Sequence, residues 1–191
     1  MSSSSRCSGR ELRLTNRRRC IVGIASALLA AGAWPQALPP ELTAELPQAK
    51  LRGSATLRWF GLHIYDGRLW SETPVAGDGA AQPLALELVY ARHLTGAKIA
   101  QRSIDEMKHI GRFSDEQGQR WLDAMTKAFP DVKAGDRITG IQQPGQSTRF
   151  FFNGRPNGEL ADADFTRLFF GIWLSPKTSE PEFRRRLIGA G

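Results

Sequence analysis

The apolar residues of this chain change their spacing at Thr95, and that change limits the possible folds more than any other feature of the sequence. Before Thr95, residues 50–72 and 83–92 alternate between apolar and polar side chains, which is typical of half-buried β-strands. After Thr95, apolar residues recur at every third or fourth position, which is typical of amphipathic helices. Strands and helices therefore come in runs, and this predicts an α+β fold: a mainly antiparallel sheet with one face covered by helices.

Capping and breaking residues predict where the later elements begin and end. Thr95 and Asp162 each precede a helical pattern, and Ser114 with Gln117 has the spacing of a capping box. The helix after Asp162 is apolar on nearly all sides, which indicates a central, buried position. The predicted helices span residues 96–110, 115–129, 163–174 and 181–188, and the predicted later strands span 137–143, 148–153 and 159–161, the last one after a turn at Asn157-Gly158.

The topology of residues 50–72 is open at this point. Asp66-Gly67 is a residue pair that favours a tight hairpin turn, which would divide the segment into two strands. A single long strand with a bulge at Gly67 fits the same residues equally well.

Residues 1–37 have the organisation of a signal peptide followed by a short linker. Three arginines at 17–19 precede an apolar run over residues 20–34, which contains the small residues 31–33. This run of 15 residues is shorter than the roughly 20 that a membrane-spanning helix needs. We therefore expect a folded domain over residues 38–191 with no membrane span, located in the periplasm or secreted. Whether export follows the general or the twin-arginine route stays open.

Charge and cysteine content exclude several functional classes. The net charge is +7, but residues 1–33 contain six arginines and one glutamate, so the remainder has a net charge of only +2 and nucleic-acid binding is not expected. Cys7 and Cys20 both lie in the expected signal peptide, so the mature chain would have no thiol chemistry. The three histidines, at positions 63, 93 and 109, are scattered, and we expect no metal and no other cofactor.

Arg58 is the side chain that most clearly suggests a binding site. If the strand continues past it, Arg58 shares one face with the apolar residues Phe60, Leu62 and Ile64. A guanidinium in such a position is either an exposed strand charge, with Glu87 as a structural partner, or an anchor for a carboxylate at the mouth of an apolar cavity. The sequence leaves both interpretations open, and the second one predicts that Arg58 points into a cleft.

Six segments of the chain, in order, resemble bacterial chalcone isomerase-like proteins, and the likeness covers residues 50–189. The segments are Gly53–Arg58 with Ile64–Trp70, Leu86–Tyr90, Ser103–Met107, Phe129–Asp136, Phe165–Ser175 with Thr178-Ser179, and Arg186–Gly189. The resemblance implies an open-faced β-sandwich with helices packed on a sheet and a cleft between the two layers.

The resemblance also implies positions for catalytic residues. Plant chalcone isomerases close a chalcone into a flavanone with an arginine, a threonine, a tyrosine and an asparagine. By position the arginine falls on Arg58, the threonine near Phe60, and the tyrosine and asparagine around Ile99-Ala100 and Glu106-Met107. At the last three positions this sequence does not have the residue type of the plant enzymes. An apolar side chain cannot stabilise a developing oxyanion, so chalcone cyclisation is not expected.

Relatives with this fold that bind fatty acids hold the carboxylate with an arginine and a tyrosine. In this sequence the resemblance assigns these roles to Arg58 with Tyr65 or Tyr90, and Phe60 beside them completes the predicted ligand-binding residues.

Three functions remain at this stage. The first is a secreted, non-catalytic protein that binds a small apolar or carboxylate-bearing ligand. The second is an intramolecular lyase or isomerase with different catalytic groups, for which Glu106, Lys108 and His109 are the acid and base candidates. The third is a periplasmic interaction module without a small-molecule site. A closed interior in which four aromatic residues touch one another would favour it; they are Trp59, Trp121, Phe169 and Trp173.

Overall fold

The computed structural model describes residues 37–189, in which six β-strands and five α-helices follow one another. The expected signal peptide, with Cys7 and Cys20, lies outside the described residues. The strands are β1 (Lys50–Trp59), β2 (Leu62–Ser71), β3 (Leu84–Tyr90), β4 (Arg137–Gln143), β5 (Ser147–Phe152) and β6 (Arg155–Leu160). The helices are α1 (Pro40–Glu45), α2 (Gly96–Ile110), α3 (Asp115–Ala128), α4 (Ala163–Leu174) and α5 (Pro181–Leu187).

The six strands form one sheet in which every neighbouring pair is antiparallel. The strand order along the sheet is the order along the chain, and helices α2 and α3 are inserted between β3 and β4. This confirms the predicted α+β class with a mainly antiparallel sheet.

Alternation in β3 divides its side chains between the two faces of the sheet. Leu86, Leu88 and Tyr90 pack into the main core, together with residues of α2 to α5. Helix α4 is packed between the sheet and α2, and most of its side chains are buried, as its apolar circumference predicts.

The opposite face of the sheet is covered in part by α1, which the sequence did not predict. Leu42 and Leu46 pack there against Trp70 and Phe151. The same face holds buried ionic groups, because the Glu41 carboxylate accepts hydrogen bonds from Thr139 Oγ1 at 2.7 Å and from Arg137 Nη2 at 3.0 Å. The buried Glu87 accepts from Trp70 Nε1 at 3.2 Å, so it faces this side of the sheet.

Both predictions for Gly67 are wrong. The chain turns at Phe60-Gly61, and Gly67 lies within β2 opposite Ala55. Phe60 and Gly61 have φ angles of +46° and +79°, which is the geometry of a mirror-image two-residue hairpin turn. The sequence pattern hides this turn, because phenylalanine is an unusual residue at a position with positive φ.

The turn predicted at Asn157-Gly158 is also misplaced. These residues lie in β6, and the chain reverses earlier, at Asn153-Gly154, where φ is +49° and +82°. Pairs of asparagine and glycine favour such turns, and the sequence contains two of them within six residues. The later pair is held in the sheet instead, where Gly158 pairs with Phe150 and Asn157 Nδ2 donates a 2.7 Å hydrogen bond to the Ala128 carbonyl oxygen.

Candidate functional site

A cavity of about 370 Å³ lies between the sheet and helix α2, closed on one side by α4 and the segment that follows it. This volume falls within the ≈ 300–1,000 Å³ range of small-molecule sites. Its lining residues are Trp59, Ile64, Tyr65, Leu88, Tyr90, Leu94, Lys98, Ile99, Arg102, Ser103, Glu106, Phe129, Ile138, Phe169, Ile172, Trp173, Ser179 and Glu180.

The floor of the cavity is apolar and buried. Leu88 from β3 and Ile138 from β4 contribute from the sheet, while Phe129 and Phe169 contribute from the helical layer. The two strand residues reach the cavity because they occupy helix-facing positions on neighbouring strands, where they pair with each other. The floor therefore suits the hydrocarbon part of a ligand.

Two tyrosines face each other across β2 and β3 in the wall of the cavity. Tyr65 and Tyr90 are paired in register, and their rings meet edge to face with centroids 5.9 Å apart. Trp173 Nε1 donates a 3.0 Å hydrogen bond to the Tyr65 hydroxyl oxygen, which leaves the Tyr65 proton available for a ligand. Burial raises the pKa of both tyrosines above the usual value, so both hydroxyls are protonated at neutral pH and can donate.

Charged side chains of α2 lie at the mouth of the cavity. Arg102 forms an ion pair with Glu106 one helical turn away, and Ser179 Oγ donates a 2.7 Å hydrogen bond to the same carboxylate. The Arg102 guanidinium also lies 5.2 Å from the centroid of the Trp59 ring, close enough for a cation–π contact. Lys98, exposed and one turn earlier on α2, adds a second cation to the mouth.

The structure divides the four residues predicted to bind a ligand. Tyr65 and Tyr90 line the cavity, whereas Arg58 and Phe60 do not. The prediction that Arg58 points into a cleft is wrong: its side chain is exposed, with Nη1 3.5 Å from the Gly61 carbonyl oxygen. The parity argument failed because the chain turns at Phe60-Gly61, which places Leu62 and Ile64 on β2 and not on the strand of Arg58.

The structure also separates the acid and base candidates. Glu106 is buried and lines the cavity, whereas Lys108 and His109 are exposed on α2 and do not. Sequence reasoning missed Arg102, although the signal was present. Ile99, Arg102 and Glu106 follow one another at spacings of three and four residues, so two charged side chains lie beside an apolar one on the same helix face.

The four aromatic residues proposed for a closed interior do not meet. Phe169 and Trp173 are in ring contact, with centroids 5.3 Å apart. Trp121 packs instead against Phe113 and Phe165. Trp59 is 48% exposed at the cavity mouth, so the interior is open at this point.

With the geometry of the cavity established, comparison with known proteins identifies the family. A model of the chalcone isomerase-like family matches residues 36–189, which include all of the described part of the chain. The chain belongs to the chalcone isomerase-like family. The resemblance of the sequence to the chalcone isomerase-like family is thereby confirmed, and the cleft implied by this resemblance corresponds to the cavity between sheet and α2.

Two individual proteins are similar to this chalcone isomerase-like chain, one in sequence and one in structure. An uncharacterized protein of Haemophilus influenzae is 30% identical over 137 residues, which are 72% of this chain and 66% of the relative. The chain thus spans just under two thirds of the length of that relative. The crystal structure of a fatty-acid binding protein of Arabidopsis thaliana superposes with a TM-score of 0.58 at 10% identity, over 75% of this chain and 88% of the other. At that identity the likeness shows a shared fold.

Proposed function

We propose that this chalcone isomerase-like protein binds one small amphipathic ligand and does not transform it. The ligand has an apolar body and a carboxylate or similar anionic head. The observation that carries the proposal is a cavity with a buried apolar floor and hydrogen-bond donors near its mouth. The fatty-acid binding protein of Arabidopsis thaliana with the same fold supports the choice of ligand by analogy.

The polar groups fix the orientation of such a ligand. Tyr65 lies within the electrostatic influence of Arg102, Glu106 and Glu180, so these groups form the polar end of the cavity. Arg102 has five N–H donors, and its ion pair with Glu106 does not use all of them. A ligand carboxylate can therefore accept from Arg102 and from the Tyr65 hydroxyl while its hydrocarbon chain lies on the apolar floor.

Calorimetric titration with octanoate, dodecanoate and hexadecanoate tests the proposal. Each buried methylene contributes about 0.8 kcal/mol, so affinity should rise with chain length until the floor is filled. The alcohols with the same chains should bind more weakly, because they do not form charge-assisted hydrogen bonds. Saturable binding of neither series, or tighter binding of the alcohols, would contradict the proposed carboxylate ligand.

The position of Glu106 favours a second candidate function, that of an intramolecular lyase or isomerase. Its carboxylate is buried in the cavity wall and lies close enough to influence Tyr65 electrostatically, so one group could take a proton while the other donates one. This arrangement differs from that of the plant isomerases, because Ile99 stands where their tyrosine is expected and Phe60 is on the protein surface.

For this reason we expect no flavanone formation from a 2′-hydroxychalcone above the uncatalysed rate. The measurement is the initial rate at increasing substrate concentration, with Glu106→Gln as the matched control. A saturable rate that disappears in Glu106→Gln would make the isomerase the better description of the protein.

We further propose that residues 1–37 direct export and are removed. The arginine-rich start, the apolar run and the small residues that end it support this proposal. We expect the exported protein to begin near Leu38, as measured by its intact mass. A product that still begins at Met1 would contradict the proposed location in the periplasm or outside the cell.

A further inference from the structure

The turn between β1 and β2 exposes apolar side chains next to the mouth of the cavity. We call residues 59–62 the hairpin tip. Phe60 is 91% exposed, Leu62 53% and Trp59 48%, and within residues 37–189 the one other exposed large apolar side chain is Leu51 at 36%. Because three of these four residues lie within four consecutive positions of one turn, they form an apolar patch and not a scatter of single residues.

Phe60 is also unfavourable for the backbone at this position. Its φ of +46° lies in the left-handed region, where a side chain with a Cβ is strained and where asparagine or glycine is usual. An Asn-Gly turn would fit the same hairpin with less strain and with less apolar surface in water. Neither folding nor solubility accounts for phenylalanine at this position, so a binding role is the better explanation.

Cations surround the hairpin tip. Arg58 immediately precedes it, the Arg102 guanidinium stacks on Trp59, and the exposed Lys98 lies one turn from Arg102 on α2. The neighbouring carboxylates are less accessible, because Glu106 is buried in its ion pair with Arg102 and Glu180 is half-buried. Among the charged residues that line the mouth of the cavity next to the tip, the exposed ones are therefore Lys98 and Arg102, and both are cations.

From this combination we propose that the hairpin tip docks the protein on an anionic lipid membrane. Trp59, Phe60 and Leu62 enter the interfacial layer, while the three cations contact lipid phosphates. The contact is peripheral, since no helix within the described range is long and apolar enough to cross a bilayer. Trp59 belongs both to the tip and to the cavity wall, so docking brings the mouth of the cavity to the lipid surface. The proposal does not depend on the identity of any ligand in the cavity.

A second copy of the chain is the other candidate occupant of the tip, and the charges argue against it. Two tips meeting symmetrically would bring the same cations together, whereas an anionic membrane provides the opposite charge. The experiment described next includes an outcome for this case.

Phe60→Asn separates docking from folding. Asparagine suits a positive φ, so the free energy of unfolding should be unchanged or higher, while the largest apolar contact of the tip is lost. We expect the full chain to co-sediment with vesicles of phosphatidylglycerol and phosphatidylethanolamine, and Phe60→Asn to lower the partition constant about tenfold. Leu51→Thr, which removes an exposed apolar side chain at the far end of β1, should leave the partition constant unchanged.

All three proteins contain the same residues 1–36, so any independent binding through that segment adds the same amount to each partition constant, and the difference between the constants measures the contribution of the tip. With Trp34 replaced by phenylalanine in all three proteins, the emission of Trp59 provides a local readout, because Trp70, Trp121 and Trp173 are buried. Vesicles should shift the emission of the parent to shorter wavelength, and this shift should be lost in Phe60→Asn and at high salt.

Three outcomes would overturn the proposal. They are equal partition constants for the parent and Phe60→Asn, partition of the parent onto phosphatidylcholine vesicles that equals its partition onto the anionic vesicles, and no vesicle binding at all. Dimerisation that is lost in Phe60→Asn, without vesicle binding, would assign the tip to a second copy.

Discussion

Replacing Ser103 with phenylalanine is expected to abolish ligand binding while the protein stays folded. Ser103 lies on α2, is buried, and lines the cavity opposite the apolar floor. A phenyl ring at this position would occupy space that the ligand needs. Since the space is a cavity and not packed core, the substitution adds apolar contacts and should cost less than the overpacking of a filled interior.

The matched control is Ser103→Ala. The Ser103 hydroxyl donates a 2.9 Å hydrogen bond to the Ile99 carbonyl oxygen within the same helix, so its removal leaves the backbone of α2 bonded as before. Ser103→Ala should bind dodecanoate like the parent, and calorimetric titration of both variants, together with thermal unfolding, measures the difference. If Ser103→Phe is folded and keeps the parental affinity, the ligand does not occupy this cavity.

Arg102→Ala is expected to weaken binding of dodecanoate about tenfold. A hydrogen bond to a charged group contributes about 1.5–3 kcal/mol, and the lower end applies here because the Arg102 side chain is 57% exposed. Removal of Arg102 also leaves the buried Glu106 carboxylate unneutralised beside the ligand, so the same substitution should be repeated in a Glu106→Gln background. The loss should persist there if Arg102 contacts the ligand itself.

Arg58→Ala is the matched control for the charge. It removes the same group from the same region of the surface, but Arg58 does not line the cavity, so the affinity for dodecanoate should be unchanged. Dodecanol, measured in parallel, should bind the parent and Arg102→Ala equally. A larger loss from Arg58→Ala than from Arg102→Ala would contradict the assignment of the anchor to α2.

The sequence predicted those elements whose signals are local. Alternation in residues 83–92 indicated both β3 and the face that packs on the helices, because the period of a strand determines where each side chain points. The helix starts were predicted for the same reason: Ser114 and Gln117 form the expected reciprocal capping box, and the Asp162 side chain accepts from the Phe165 backbone N–H.

Other features depend on contacts between distant parts of the chain, and the sequence could not predict them. Helix α1 has six residues and is held by its packing against the sheet, through Leu42, and by the hydrogen bonds to Glu41. The turn at Phe60-Gly61 has an unfavourable first residue, so turn propensity pointed to Asp66-Gly67 instead.

Of the four residues predicted to bind a ligand, the two tyrosines line the cavity and Arg58 and Phe60 do not, for the same physical reason. Tyr65 and Tyr90 are on strands whose register brings them together, and both were expected to contact a ligand. The cation was assigned to Arg58 because the sequence does not show that the chain turns two residues later. Arg102 takes its place at the mouth of the cavity because α2 packs over the sheet at that point, which is a tertiary arrangement.

Native mass spectrometry of the protein with excess dodecanoate tests the central claim most directly, because it counts ligands bound to the folded chain. We predict a one-to-one complex for the parent and for Ser103→Ala, and no complex for Ser103→Phe in the same charge states. A complex that forms equally with Ser103→Phe, or a parent protein that binds no carboxylate at all, would contradict the account of the cavity as the ligand site.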